Sequence, residues 1–367
     1  MEAAWEAGGN PSSVHAAGRK ARAAVETARG QVAKLAGATL DEVIFTGGGT
    51  EAIWLALSGA ISGALENDAR ITRLFISAIE HDAVRANAAA LAERVAGLRM
   101  ETIPVTADGL VDLGALRTGL REGKGRALVV VMAANNETGV VQPVEDVADL
   151  VKEAGALLLV DAVQAAGKIA IGTFASRVDY MVLTAHKLAG PQGVGALIVK
   201  EGAPFAPQIL GGGQEKRRRA GTENVAGIAG FGAAAAVAEN VGRDGARLAQ
   251  LRDAFERGLR RALPDTQFFG VDAPRLPNTS SFAIRGLTAE MVVMALDLEG
   301  VMVSSGAACA SGKVARSHVL SAMGVDETLA RSALRVSFGW NSAESDVCAA
   351  IAALEKVASR ARGRAAA

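Results

Sequence analysis

Cysteine is nearly absent from this chain: only Cys309 and Cys348 occur in 367 residues. Two thiols cannot build a disulfide framework, and no metal-ligand spacing accompanies them. Such sparing use suits a reducing compartment. Net charge is missing too, since Lys+Arg and Asp+Glu both number 39. That removes the electrostatic footprint of a nucleic-acid or membrane-surface binder. The basic run Lys216-Arg217-Arg218-Arg219 is short and reads as a solvated loop. The opening stretch, MEAAWEAGGNPSS, lacks the basic start and apolar run of a signal peptide. No window reaches the roughly 18–20 apolar residues of a membrane span, so the cytoplasm is the expected location. What is present is 50% hydrophobic and 21% charged residues, the balance of a globular protein. The length predicts about two domains.

Residues 14–36 read as an amphipathic helix with Arg and Lys on one side, entered through Pro11 and Ser12-Ser13. A short apolar run at 42–45 ends in Thr46-Gly-Gly-Gly-Thr50, and residues 51–65 have a helical pattern. The same strand, turn and helix order then recurs. Apolar strands are predicted at 74–77, 127–132, 157–160, 180–183 and 196–199. Strands alternating with helices argue for an α/β domain with a mainly parallel sheet. Beyond about residue 240 a long charged helix, 244–263, leads into a region of mixed helices and short strands. A boundary near residue 242 is expected, giving domains 1–242 and 243–367.

The chemistry-bearing residue types follow the predicted strands, where open α/β sheets place their ligand crevice. Lys187 follows one apolar strand and precedes a Gly-Pro turn; Asp161 ends another, with Gln164 three residues on. Asp161 suits either a helix cap or a protonated ring nitrogen. His81 follows a strand and suits stacking or proton transfer near neutrality. The glycines at 47–49 precede a helix whose first amides and dipole suit a phosphate, although an ordinary turn has the same composition. A Schiff-base lysine, a carboxylate, a stacking ring and an anion site are together what a pyridoxal-phosphate enzyme requires. Cys309 is framed by Gly306, Gly312 and serines, which suggests an exposed nucleophile. Cys348 lies in a helical apolar pattern and reads as core. Arg335, in a strand-like run, could grip a carboxylate with two parallel hydrogen bonds or sit on a sheet edge.

Taken in order, these segments resemble the cysteine desulfurases of the nitrogen-fixation and iron–sulfur-cluster type. The matching stretches are Gly9-Asn-Pro-Ser-Ser13, Thr46-Gly-Gly-Gly-Thr-Glu51, Glu80-His81, Asn135-Asn-Glu-Thr-Gly139, Asp161-Ala-Val-Gln164, Thr184-Ala-His-Lys187, Gly211-Gly-Gly-Gln-Glu215 with Arg219-Ala-Gly-Thr222, Ser304-Ser-Gly-Ala-Ala-Cys309 and Arg335-Val-Ser-Phe-Gly339. They run over nearly the whole chain, and the ordered set is far more specific than any member.

The resemblance implies an aspartate-aminotransferase-like, type I pyridoxal-phosphate fold. Its large α/β domain carries a mainly parallel seven-stranded sheet, and a smaller α+β C-terminal domain carries the cysteine loop. It implies that Lys187 holds pyridoxal 5'-phosphate as a Schiff base, His81 stacks on the ring, and Asp161 and Gln164 bind its nitrogen and phenolic oxygen. Gly49, Thr50, Thr184 and His186 would hold the phosphate, and Thr222 would reach the partner's site in a homodimer. Asn136, beside the cofactor, and Arg335 would bind the carboxylate of L-cysteine. Cys309 would take its sulfur as a persulfide, releasing L-alanine, for an iron–sulfur scaffold or another acceptor. A selenocysteine lyase or other lyase or aminotransferase of the same fold is the alternative activity. The sequence has only eight residues before Gly9 and lacks the family's Asp-x-x-Ala-Thr-Thr-Pro segment and longer C-terminal tail. Weaker cofactor retention, or an impaired assembly protein, is the corresponding expectation. Gly48-Gly49 replaces the usual Gly-Ala, a change expected to be tolerated.

Overall fold

A computed structural model describes residues 1–238, 241–306 and 316–366. The chain forms two compact units. The first comprises Met1–Ile103, Asp112–Ala133 and Pro143–Val241; the second comprises Pro104–Val111, Ala134–Gln142 and the chain from Gly242 onward. Two short segments upstream of residue 242 thus belong to the second unit, and Asn136 lies in one of them.

The first unit is built on a seven-stranded sheet. Its strands are β1 (Val43–Thr46), β2 (Ile71–Ser77), β3 (Arg99–Ile103), β4 (Arg126–Met132), β5 (Leu157–Asp161), β6 (Tyr180–Thr184) and β7 (Gly195–Val199), in the order β1-β7-β6-β5-β4-β2-β3. Strands β3, β2, β4, β5 and β6 pair in parallel, whereas β7 runs antiparallel to both β6 and β1. The central strands carry runs such as Val129-Val130-Val131 and Leu158-Leu159-Val160, buried on both faces, as a helix-covered parallel sheet requires. Strand β3 has no such run. It pairs only with β2 and leaves Arg99, Met100 and Thr102 exposed, so its sequence carries the charge of an edge strand instead of an apolar signal.

The helix Gly49–Glu66 packs its Ile53, Leu55, Leu57 and Ile61 into the core of this sheet. Gly63 lets another segment approach it, since a Cβ there would lie 2.4 Å from the Phe205 backbone nitrogen. The helix Ala16–Ala36 is entered through His15, whose Nδ1 accepts the Gly18 N–H at 3.2 Å. Its cationic residues do not all face water: Arg29 is only 5% exposed.

The second unit contains an antiparallel sheet of β8 (Thr266–Phe268), β9 (Thr279–Ile284), β10 (Ser304–Ser305) and β11 (Ala333–Ser337), ordered β10-β11-β9-β8. Phe255, Leu259, Phe282, Leu296, Leu334 and Leu354 fill its core. The Asn135–Gly139 turn is stitched into this unit, with Val141 N–H donating to the Pro274 carbonyl at 2.8 Å and Leu276 N–H to that of Gly139 at 2.7 Å. Cys348 departs from the core reading. It is exposed on the helix Glu344–Ala366, because Val347, Ala350, Leu354 and Val357 form the buried stripe and position 348 lies about 100° away from it.

Candidate active site

In the first unit, strands β2, β4, β5 and β6 deliver residues to one edge of the sheet, because parallel strands end on the same side. Asp161 is the last residue of β5 and pairs with Met132 of β4 and Val182 of β6. It is only 6% exposed, and its Oδ1 accepts the Val163 N–H at 2.9 Å. Burial pushes its pKa up, opposed by the Val163 hydrogen bond and by the charge of nearby His81.

His81 caps the helix Asp82–Arg94, its Nδ1 accepting the Ala83 N–H at 3.1 Å. An accepting Nδ1 places the proton of the neutral ring on Nε2. Gln164 is half-buried, with its Oε1 accepting from Lys168 Nζ at 3.1 Å. That orients its amide nitrogen as the group left to donate.

The residues around the glycine turn form an open pocket of ≈ 410 Å³, lined by Gly47, Gly48, Gly49, Thr50, Glu51, His186, Gln192 and Gly193. The first amides of the helix Gly49–Glu66 have no acceptor within the helix by geometry, and its dipole adds positive potential there. A Cβ on Gly49 would come within 3.5 Å of Val163 and 3.8 Å of Thr184. The glycine turn and the ends of β5 and β6 are therefore close neighbours. Gly195 keeps them so, since a Cβ there would meet the Gly48 carbonyl carbon at 2.8 Å. Thr184 itself is buried, with Oγ1 3.0 Å from His186 Nδ1 and 3.3 Å from the Val194 carbonyl oxygen. Lys187 follows in the 3₁₀ turn Ala185–Leu188 and is exposed. Partial burial, then the Lys187 charge, lower the pKa of His186. Thr222 is exposed in the loop beyond Gly221.

The donor set fits pyridoxal phosphate: a cradle of glycine amides at a helix start, a buried carboxylate with an adjacent imidazole, and a lysine on the next strand end. In the second unit, Arg335 Nη1 donates to the Asn136 carbonyl at 2.6 Å and Nη2 to Ser304 Oγ at 3.2 Å, which fixes the plane of the guanidinium. Cys309 falls within 307–315, outside the described residues.

Glu80 had no role assigned from sequence beyond its place in the Glu80-His81 pair. It is wholly buried, and Oε1 accepts the Met132 N–H at 2.7 Å. Burial, then the charge of Asp161, hold its pKa well above the ordinary value of 4.5. Burial thus pushes both carboxyls toward the neutral form, Glu80 the more strongly. A carboxyl with a raised folded pKa favours folding at low pH and loses that contribution as pH rises above its unfolded value. Glu80→Gln is expected to flatten the decline of Tm as pH rises above the ordinary carboxyl value of 4.5, relative to the parent. Parallel pH profiles in the two proteins would contradict the assignment.

Residues 4–349 match the family described as Aminotransferase class-V. The chain is 46% identical over 337 residues to a cysteine desulfurase of Cereibacter sphaeroides, covering 91% of this chain and 85% of that one. It is 39% identical to a cysteine desulfurase IscS of Dictyoglomus turgidum, covering 96% and 88%. A NifS-like protein from Rickettsia africae has a solved structure similar to this one, with a TM-score of 0.86, 33% identity, and coverage of 98% and 94%. Among the described residues, no helix is long and apolar enough to cross a membrane.

Proposed function

Since this chain belongs to the class-V aminotransferase family, we propose that it is a pyridoxal-phosphate-dependent cysteine desulfurase, converting L-cysteine to L-alanine with transfer of sulfur to Cys309. The observation that carries this reading is the placement of Asp161, His81 and Lys187 at or just beyond the C-terminal ends of the parallel strands β5, β2 and β6 of one sheet, with the Gly47–Gly49 turn packed beside the ends of β5 and β6. Pyridoxal phosphate, when bound, supplies an electron sink for the charge that develops at the substrate α-carbon.

The residues then divide the work. Lys187 holds the cofactor covalently and moves the α-proton. The Asp161 carboxylate would keep a proton on the pyridine nitrogen. His81 stacks on the ring and Gln164 donates to its phenolic oxygen. Gly49, Thr50, Thr184 and His186 hold the phosphate, and Thr222 serves the site of a second copy in a homodimer. Asn136 and Arg335 hold the cysteine carboxylate. The Cys309 thiolate attacks the substrate sulfur, so that a new S–S bond forms as the substrate C–S bond breaks. Its electron pair stays with the three-carbon fragment, which leaves as alanine after protonation. The persulfide passes to an iron–sulfur scaffold or another sulfur-accepting protein, and the enzyme works in the cytoplasm.

The test is a cysteine assay that measures alanine and sulfide together. The purified, pyridoxal-phosphate-supplied chain is expected to show a visible absorption band that changes on adding cysteine, and to form alanine in step with transferred sulfur. A supplied chain with no such band would refute the enzyme reading.

A further inference from the structure

Glu51 presents a difficulty at the glycine turn. Its carboxylate lines the pocket formed by Gly47–Thr50 and His186, where a phosphate dianion is expected. A negative side chain in the first turn suits the helix dipole, but it competes with an anionic ligand for the same positive end. The structure shows how the charge is managed. Arg219, 168 residues away, grips Glu51 as a fork, with Nε donating to Oε1 at 2.8 Å and Nη2 to Oε2 at 3.3 Å. The Glu51 Oε2 in turn accepts the Gly47 N–H at 2.9 Å. Both side chains are largely screened, at 22% and 25% exposure. Arg219 is itself held in place because its loop is anchored by Glu215, whose carboxylate is buried against Arg29 and the Phe45 N–H.

We propose that Arg219 is a positioning residue for the phosphate end of the cofactor pocket, neutralising Glu51 and turning its carboxylate onto the Gly47 amide. The pair leaves the amides of Gly49 and Thr50 as the anion-facing groups and removes a negative charge that would oppose the phosphate. This rests on the reading that pyridoxal phosphate occupies the pocket. It adds a residue that need not touch the cofactor.

The experiment titrates pyridoxal phosphate, and separately pyridoxal, which lacks the phosphate, into the full chain freed of cofactor. Arg219→Ala is expected to weaken pyridoxal phosphate binding by about tenfold, a loss of about 1.4 kcal/mol, and pyridoxal binding by less than about twofold. Adding Glu51→Gln to Arg219→Ala is expected to restore most of the lost affinity, because the uncompensated carboxylate is gone. Urea midpoints of each variant report folding, and Arg219→Gln replaces Arg219→Ala if the latter does not fold. Equal losses for the two ligands, unchanged pyridoxal phosphate affinity, or a double variant weaker than the single would each overturn the proposal. Parent protein that fails to bind pyridoxal phosphate would instead overturn the functional reading on which it rests.

Discussion

Cys309→Ala is expected to abolish sulfur release from cysteine, by at least about 10³-fold, while the cofactor band and its change on adding cysteine persist. The separation follows from the chemistry. In the proposed reaction, cofactor binding and α-proton removal use Lys187, Asp161 and His81, none of which the substitution changes. Breaking the C–S bond in the proposed reaction needs a nucleophile to take the sulfur, and a methyl group cannot. Cys348 provides an internal control. It is the chain's other thiol and is exposed, so an accessible cysteine outside the proposed reaction is present in the same protein. Cys348→Ala is expected to leave desulfuration unchanged. Selenocysteine sharpens the test, since its selenium can leave without a protein thiol, and Cys309→Ala is expected to retain turnover of that substrate. Native-rate sulfide release from cysteine by Cys309→Ala would refute the mechanism.

Glu215→Ala is expected to destabilise the chain by about 3–5 kcal/mol, because it leaves a buried guanidinium without its counter-ion. Arg29 donates to Glu215 at 2.8 and 3.1 Å and to the Val43 carbonyl at 2.9 Å, and lies over the Phe45 ring with its guanidinium carbon 4.9 Å from the centroid. The two side chains are 6% and 2% exposed. The carboxylate also accepts the Phe45 N–H at 3.1 Å, so its removal orphans a strand amide as well. Glu215, Lys216 and Arg217 all adopt left-handed backbone, with φ of 45°, 56° and 64°. Each costs about 1–2 kcal/mol in an L-residue, and the buried ion pair helps hold the loop in that form, together with the Lys216–Asp41 pair and the Arg218 donation to the Asp41 carbonyl. Glu215→Gln keeps an acceptor for the amide and is expected to lose less. Replacing Arg29 and Glu215 together by Met and Leu is expected to be milder than Glu215→Ala, since no charge is then left buried. Urea denaturation measures all three. A Glu215→Ala midpoint within error of the parent would show that the pair contributes nothing.

The legible and illegible parts of this chain differ for physical reasons. The five interior strands β2, β4, β5, β6 and β7 were visible because burial on both faces demands unbroken apolar runs. Strand β3 was not, because an edge strand facing water is built from Arg99, Glu101 and Thr102. Cys348 looked like core because its neighbours are apolar, but helical phase, which needs the packing partner to define it, turns that position outward. Arg29 failed in the opposite sense. A cationic residue on an amphipathic helix reads as solvated until a carboxylate 186 residues away is seen to bury it.

The sequence by itself determined the interior strands of the first unit's sheet and put forward Lys187, His81, Asp161, Arg335 and Cys309 as candidate chemistry-bearing residues. Strand ends and glycine turns mark where such groups can be presented, and the ordered motifs supply the family resemblance on which the role of Cys309 rests. Only the tertiary structure decided which groups act through others. Glu80 is buried beside Asp161, Arg219 pairs with Glu51, and Glu215 pairs with Arg29. Each of these depends on bringing residues far apart in the chain into close contact, and folding both sets that distance and, by lowering the local dielectric, strengthens the coupling.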